Sequence, residues 1–231
     1  PIAIGADIGH YGQTLIKLIT LHYPDKNKYI EILAVVLTGI LKFVFMDWLN
    51  FRAFYIVAVC AFWIIYIWRT HKKYPGVYKY LGFRKANFKK SFLILLVPAL
   101  ITIAGIYFYG VETEARFLNW RILPILVLYP LWGLLQQFMI AGLIAGNLQK
   151  LESIKLRDSL IIIITSMVFA LIHAPSLPLM LYVLVMEIIF LLVYFKYHNL
   201  WTLGLFHGWV SGLFLYFVLG RDLWKELWVI F

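Results

Sequence analysis

An all-α polytopic transmembrane helical bundle of about seven spans, six to eight, is the fold class this sequence predicts. Three observations predict it. The 231-residue chain is 63% hydrophobic and 14% charged, with a mean hydropathy of +0.86, far more apolar and less charged than an ordinary soluble domain. Apolar runs of bilayer-crossing length, which takes about 20 helical residues, recur along the chain. The charges gather between those runs, as they do where the solvent is lipid. With no internal repeat and no low-complexity tract, residues 1–231 read as a single membrane domain.

The elements follow in order. Residues 1–29 open with "PIAIGADIGHYGQTLIKLIT", too polar to cross comfortably, and are expected to lie at the interface. The first two spans are Ile30–Met46 and Phe51–Trp68. A basic loop follows, and then the third span, Ser91–Tyr109. The remaining runs are Ile122–Leu148, Ser159–His173, Pro178–Phe195 and Leu200–Leu219. In the tail, "RDLWKELWVIF" sets tryptophans among charges, a headgroup-zone pattern.

Loop charges orient the bundle. The loop "RTHKKYPGVYKYLGFRKANFKK" holds eight Lys or Arg and no acid, and "QKLESIKLRDS" adds three more. If the spans alternate, both loops fall on one side, expected to be cytoplasmic by the positive-inside rule. The formal net charge of +10 is then a matter of topology and of attraction to membrane lipids, and nucleic acid is excluded as a partner. The single cysteine, Cys60, lies in an apolar run and allows no internal disulfide. The expected location is a bacterial or archaeal cytoplasmic membrane, with loop 69–90 inside.

Polar groups at membrane depth are the candidates for function, because unpaired burial there is so costly. They are Gln136 and Gln137 in the fourth run, His173, Glu187 and His207; Lys42 sits close enough to a span end to snorkel. At about 1.5 Å rise per residue, Gln136 lies roughly 18 Å from the cytoplasmic end of its helix, His173 roughly 21 Å, Glu187 roughly 12 Å and His207 roughly 10 Å. Each alone could be glue between helices, worth about 0.6 kcal/mol. Two histidines, a carboxyl and an amide pair at broadly one depth predict instead one shared site.

Three stretches, "QQFMIAG", "FALIH" and "FHGWVS", resemble in order and rough spacing the signature motifs of the CPBP intramembrane protease family, which includes the CAAX prenyl endopeptidases and bacteriocin-related proteins. The resemblance covers residues 122–220. Gln136 and Gln137 stand where the family has a Glu pair, Ala141 where it has Arg, and Gly142 at its Gly. Phe169 and His173 match the second motif, and His207 with Ser211 the third, where Ser replaces Asn or Asp. The resemblance implies that the catalytic positions are Gln136, Gln137, His173 and His207, and that Phe169 and Ser211 lie on the substrate side, where Trp132 is also expected. A glutamine keeps the shape of glutamate but has no site that takes up a proton near neutral pH, so it cannot serve as a general base. Loss of the Arg is coherent with loss of the acids, since a buried guanidinium without its carboxylate is an unpaired charge.

Three functions are compatible with these residues. The first is a non-catalytic or catalytically altered descendant whose cavity binds a peptide, a lipid tail, or a transmembrane or lipidated protein. The second is an active intramembrane endopeptidase or amide hydrolase that uses His173 and His207 with Glu187 as replacement acid. The third is a membrane subunit binding haem or chlorophyll through His173 and His207. No metal site is assigned and the cofactor is unknown: two histidines and one carboxyl are a minimal ligand set. The small residues of "GLIAG" and "WVSG" fall in helical register and need no more than close helix packing to explain them.

Overall fold

The computed structural model describes residues 23–113 and 120–222. The expectation for residues 1–22 and most of the Trp-rich tail lie outside the described residues. Helix α1, Asp25–Lys42, runs on through a π-helical stretch, Phe43–Trp48. It is followed by α2 (Arg52–Lys73), the short α3 (Val77–Leu81) and α4 (Phe88–Glu112). After a 3-10 turn come α5 (Leu123–Val127) and α6 (Tyr129–Gln137), then a π-helical stretch, Phe138–Ala145, and α7 (Gly146–Gln149). The last three are α8 (Asp158–Leu171), α9 (Leu177–Tyr197) and α10 (Leu200–Phe217). No strand occurs among the described residues.

Among the described residues, six helical segments are long and apolar enough to cross a bilayer, and α8 is a shorter apolar helix. The all-α bundle is as expected, but three boundaries differ. Residues 25–29, read as interfacial, form the first turn of the span Asp25–Trp48, because Lys28 and Glu31 find buried partners there. The fifth run stops at Leu171, since Pro175 has no amide hydrogen to continue a helix and disfavours helical geometry just before it. The fourth run is not one regular helix. Pro130 sits in the first turn of α6, where its missing N–H costs nothing, and the π-helical stretch interrupts the run again before α7.

Helix α10 is the hub. Its apolar window is 83% buried, against 11% for that of the first span, which turns Ile30, Leu33, Leu37 and Ile40 outward. The reason is a stripe of Gly204, Gly208 and Gly212 on one face of α10. A Cβ at Gly204 would stand 2.6 Å from Leu134 Cα, and one at Gly208 2.3 Å from Pro130 N. Gly133 answers from α6, where a Cβ would meet Gly204 O at 2.6 Å. Backbones in contact at this distance are the small-residue packing expected where lipid offers no hydrophobic drive. Asn199 starts α10 by accepting from Thr202 N at 3.2 Å, and its amide donates to the carbonyls of Arg84 and Ala86 at 2.8 and 3.0 Å. The basic loop is thereby tied to the hub helix.

A second polar cluster holds the basic end together. Glu31 is fully buried and accepts from Tyr23 Oη at 2.5 Å, Tyr66 Oη at 2.7 Å and Asn147 Nδ2 at 2.6 Å. Beside it, Lys28 pairs with Asp25 at 2.8 Å and donates to Lys150 O, while Lys150 Nζ donates to Tyr80 O at 2.8 Å. Burial, and then the nearby Arg84 and Lys28 charges, push the Lys150 amine down to about 7. Three donors on one carboxylate satisfy what burial would otherwise leave exposed to a large desolvation cost. The cluster joins α1, α2 and the end of the motif-bearing helix.

Candidate functional site

Adjacent residues on a helix point about 100° apart, and this divides the glutamine pair. Gln136 faces a cavity of about 650 Å³, whose lining also includes Trp132, Phe169, His173, His207 and Ser211. Gln137 is fully buried and turns to the seam between α9 and α10. There its Nε2 lies 2.7 Å from Glu187 Oε2 and 3.1 Å from His207 Nδ1. The glycine seam between α6 and α10 is what brings Gln137 within reach of His207.

His173 is held differently. It sits just beyond α8, and its Nδ1 lies 2.8 Å from the Phe169 carbonyl oxygen. A carbonyl only accepts, so Nδ1 carries a proton, and when the ring is neutral Nε2 keeps the lone pair. The Phe169 ring is edge-on to His173 and tilted against His207, with centroids 4.8 and 5.6 Å away. Phe190 flanks His207 at 6.4 Å. Ser211 Oγ donates to Met186 Sδ at 3.4 Å, a weak partner.

Of the expected site residues, Gln136, His173, His207, Trp132, Phe169 and Ser211 thus share one cavity. Glu187 and Gln137 do not line it; they stand behind His207, joined to it in series. The opposite end of the cavity was not anticipated. Lys42, Asp47, Arg52 and Arg221 gather at its mouth, where Lys42, expected to snorkel, pairs with Asp47 at 2.7 Å. These four sit at the ends of α1, α2 and α10 that lie away from loops 74–87 and 150–157, so the mouth opens at the end of the bundle opposite the basic loops. Arg52 and Asp47 look like ordinary flanking charges in sequence; what sets them apart is the cavity they line together with the motif residues.

Chemically, the floor of the cavity offers a carboxamide, two imidazoles and a hydroxyl, without a carboxylate. Asp47 is the one acid in its described lining. No group of three or more His, Cys, Asp or Glu side chains arranged to hold a metal ion occurs among the described residues. The walls are apolar, with Val35, Ile56, Val59, Leu179, Val183 and Leu215 among them.

The model of one protein family, described as Type II CAAX prenyl endopeptidase Rce1-like, matches residues 118–213. That segment carries α5 to α8, all of α9 and most of α10, including every motif residue named above, and over it the chain is similar to that family, consistent with the CPBP resemblance. No curated protein and no solved structure matches the chain.

Proposed function

We propose that this Rce1-like membrane protein binds a lipid-modified or otherwise apolar peptide end in its cavity without cleaving it. One observation carries the reading: at its floor, with His173 and His207, where hydrolysis needs a group that takes a proton from water, the cavity presents the Gln136 amide, and the one acid in its described lining, Asp47, lies at the mouth. An amide there can hold a ligand carbonyl or N–H, but it cannot activate water. A hydrocarbon chain gains little by leaving lipid for an apolar cavity. Selectivity therefore comes from the polar contacts, at the floor from Gln136 and the two Nε2 atoms, and at the mouth from Arg52 and the Lys42–Asp47 pair. Following the positive-inside rule, the basic loops are cytoplasmic and the ligand enters from the other side.

A second reading has one observation in its favour. His173 lines the cavity, and with its Nδ1 proton on the Phe169 carbonyl a neutral ring has a lone pair on Nε2, so a His-centred amide hydrolase, with Glu187 acting through Gln137, has a base to start from. One experiment separates the two. The purified protein in lipid nanodiscs is given a fluorescent farnesylated peptide; anisotropy reads binding and mass spectrometry reads cleavage. Saturable binding that weakens in Gln136→Leu, with no cleavage product, is the expected result. Cleavage by the wild-type protein that disappears in His173→Ala would overturn the binding-only reading in favour of the second.

A further inference from the structure

The Glu187, Gln137, His207 series does more than fill a seam. Gln137 places one end of its carboxamide 2.7 Å from Glu187 Oε2 and 3.1 Å from His207 Nδ1, so a single atom serves both neighbours. The two ends of a carboxamide have nearly the same shape, and either can occupy that position. They do opposite things. If Glu187 is ionised, the amide nitrogen must sit there, giving one hydrogen to the carboxylate and the other to Nδ1. The His207 proton is then on Nε2. If Glu187 is protonated, its hydroxyl needs an acceptor, and the amide oxygen takes the position. That oxygen accepts from Nδ1–H as well, and His207 keeps a lone pair on Nε2.

We propose that Glu187 is a positioning residue which, through rotation of the Gln137 amide, decides whether His207 presents an N–H or a lone pair to the cavity. The inference holds whether the cavity binds or hydrolyses, since it concerns the proton on His207 alone. Its consequence is selectivity: with N–H on Nε2 the site takes a carbonyl oxygen, and with the lone pair it takes an amide N–H or a water. The Gln137 amide turns over, exchanging its nitrogen and oxygen, while the carboxyl and the imidazole keep their places.

The surroundings leave this series isolated. Gln137 Oε1 and Glu187 Oε1 are both buried without a partner, so no competing donor fixes the amide. His173, at the end of α8, is the other titratable group whose charge bears on His207, with the Phe169 ring against both histidines. On Glu187's own helix, Tyr182 stacks on Phe214 at 4.0 Å. From α4, Leu95, Ala99 and Thr102 face this helix, and the π-helical stretch Phe138–Ala145 contributes apolar side chains and a glycine.

The test reads both protons separately. In nanodiscs, the carboxylic C=O band of Glu187, assigned by difference against Glu187→Gln, reports its protonation. The 15N shifts of His207, assigned by difference against His207→Gln in histidine-labelled protein, report its tautomer. Loss of the band on raising pH should coincide, with one midpoint, with a change from Nδ1–H to Nε2–H. If the band persists at every pH, His207 must be Nδ1–H throughout; if it is absent throughout, Nε2–H. In Gln137→Leu, or in Gln137→Met should the first not fold, the tautomer should no longer follow the band. Any opposite pairing, or a tautomer that still tracks Glu187 without the amide, overturns the proposal.

Discussion

Substituting Gly208 by alanine tests the geometry on which the whole site depends. The added Cβ would lie 2.3 Å from Pro130 N, 2.4 Å from Pro130 Cα and 2.5 Å from the Tyr129 carbonyl carbon. All three are backbone atoms, so none can swing aside. Carbon contacts settle at about 3.5–4.0 Å, and the α6–α10 seam must therefore open by about 1 Å. A gap of that size forfeits a quarter to a half of each dispersion contact along the seam. It also stretches the 3.1 Å Gln137–His207 contact beyond hydrogen-bonding range. Overpacking costs about 1–3 kcal/mol and the lost hydrogen bond about 1 kcal/mol, so about 2–4 kcal/mol is expected in all. The internal control is Gly105→Ala: nothing lies within 4 Å of the Cβ it would add, and removing a mid-helix glycine there should be neutral or stabilising by up to about 1 kcal/mol. Unfolding in mixed detergent micelles, followed by far-UV dichroism, measures both. If Gly208→Ala unfolds within about 0.5 kcal/mol of wild type, or Gly105→Ala costs as much, backbone contact at the seam is not what sets the helix spacing.

Three further outcomes follow from the same structure. Lys150, pushed down to about 7 from its ordinary 10.5, sheds a proton on folding between those values, so stability should be lowest below pH 7 and rise toward pH 10.5, by at most about 1.4 kcal/mol per pH unit; Lys150→Met should flatten that slope in melts taken at pH 7 and pH 9. Gln137→Leu leaves the carboxyl and Nδ1 unpaired and should cost about 1–3 kcal/mol, part of which Glu187→Leu should restore; a double-mutant cycle by unfolding should return a coupling of about 0.6–1.7 kcal/mol. In a Cys60→Ala background, an impermeant thiol reagent should label Trp48→Cys on intact cells, but Lys85→Cys and Lys155→Cys only after permeabilisation; labelling of both loop cysteines from outside reverses the orientation.

The bundle was legible in the sequence because its cause is local. A run of apolar residues declares its solvent wherever it lies in the fold, so the long spans could be read from composition and length, while their ends, set by Pro130, Pro175 and the partners of Lys28 and Glu31, could not be placed to the residue. Meeting at a site is a tertiary property, yet part of it was legible too, since depth is a one-dimensional quantity that each helix carries in its own numbering. Gln136, His173 and His207 share a cavity because three helices that cross the same slab bring similar depths together. Depth says nothing about rotation around a helix axis. That is why Gln136 and Gln137, one residue apart, could not be assigned to the cavity and to the seam, and why Glu187 could be expected beside a histidine when it meets an amide instead. Glu31 escaped notice for the same reason: it lies near a predicted span end, and the approach of Tyr23, Tyr66 and Asn147 makes it a buried carboxyl.

The two glutamines answer different physical demands, although they sit side by side. At position 137 the demand is structural: a group is needed that can satisfy a carboxyl on one side and an imidazole on the other without adding a charge to a place no water reaches. Leucine would orphan both neighbours, and glutamate would set a second acid against Glu187. Glutamine alone among residues of that length offers both a donor and an acceptor at zero charge. At position 136 the side chain faces an open cavity, where glutamate could be hydrated or paired, so nothing in the packing demands the amide. The amide at 136 is therefore the one that the proposed binding has to explain. If Gln136→Glu folds as well as wild type while Gln137→Glu does not, the seam explains one glutamine, and what the cavity holds must explain the other.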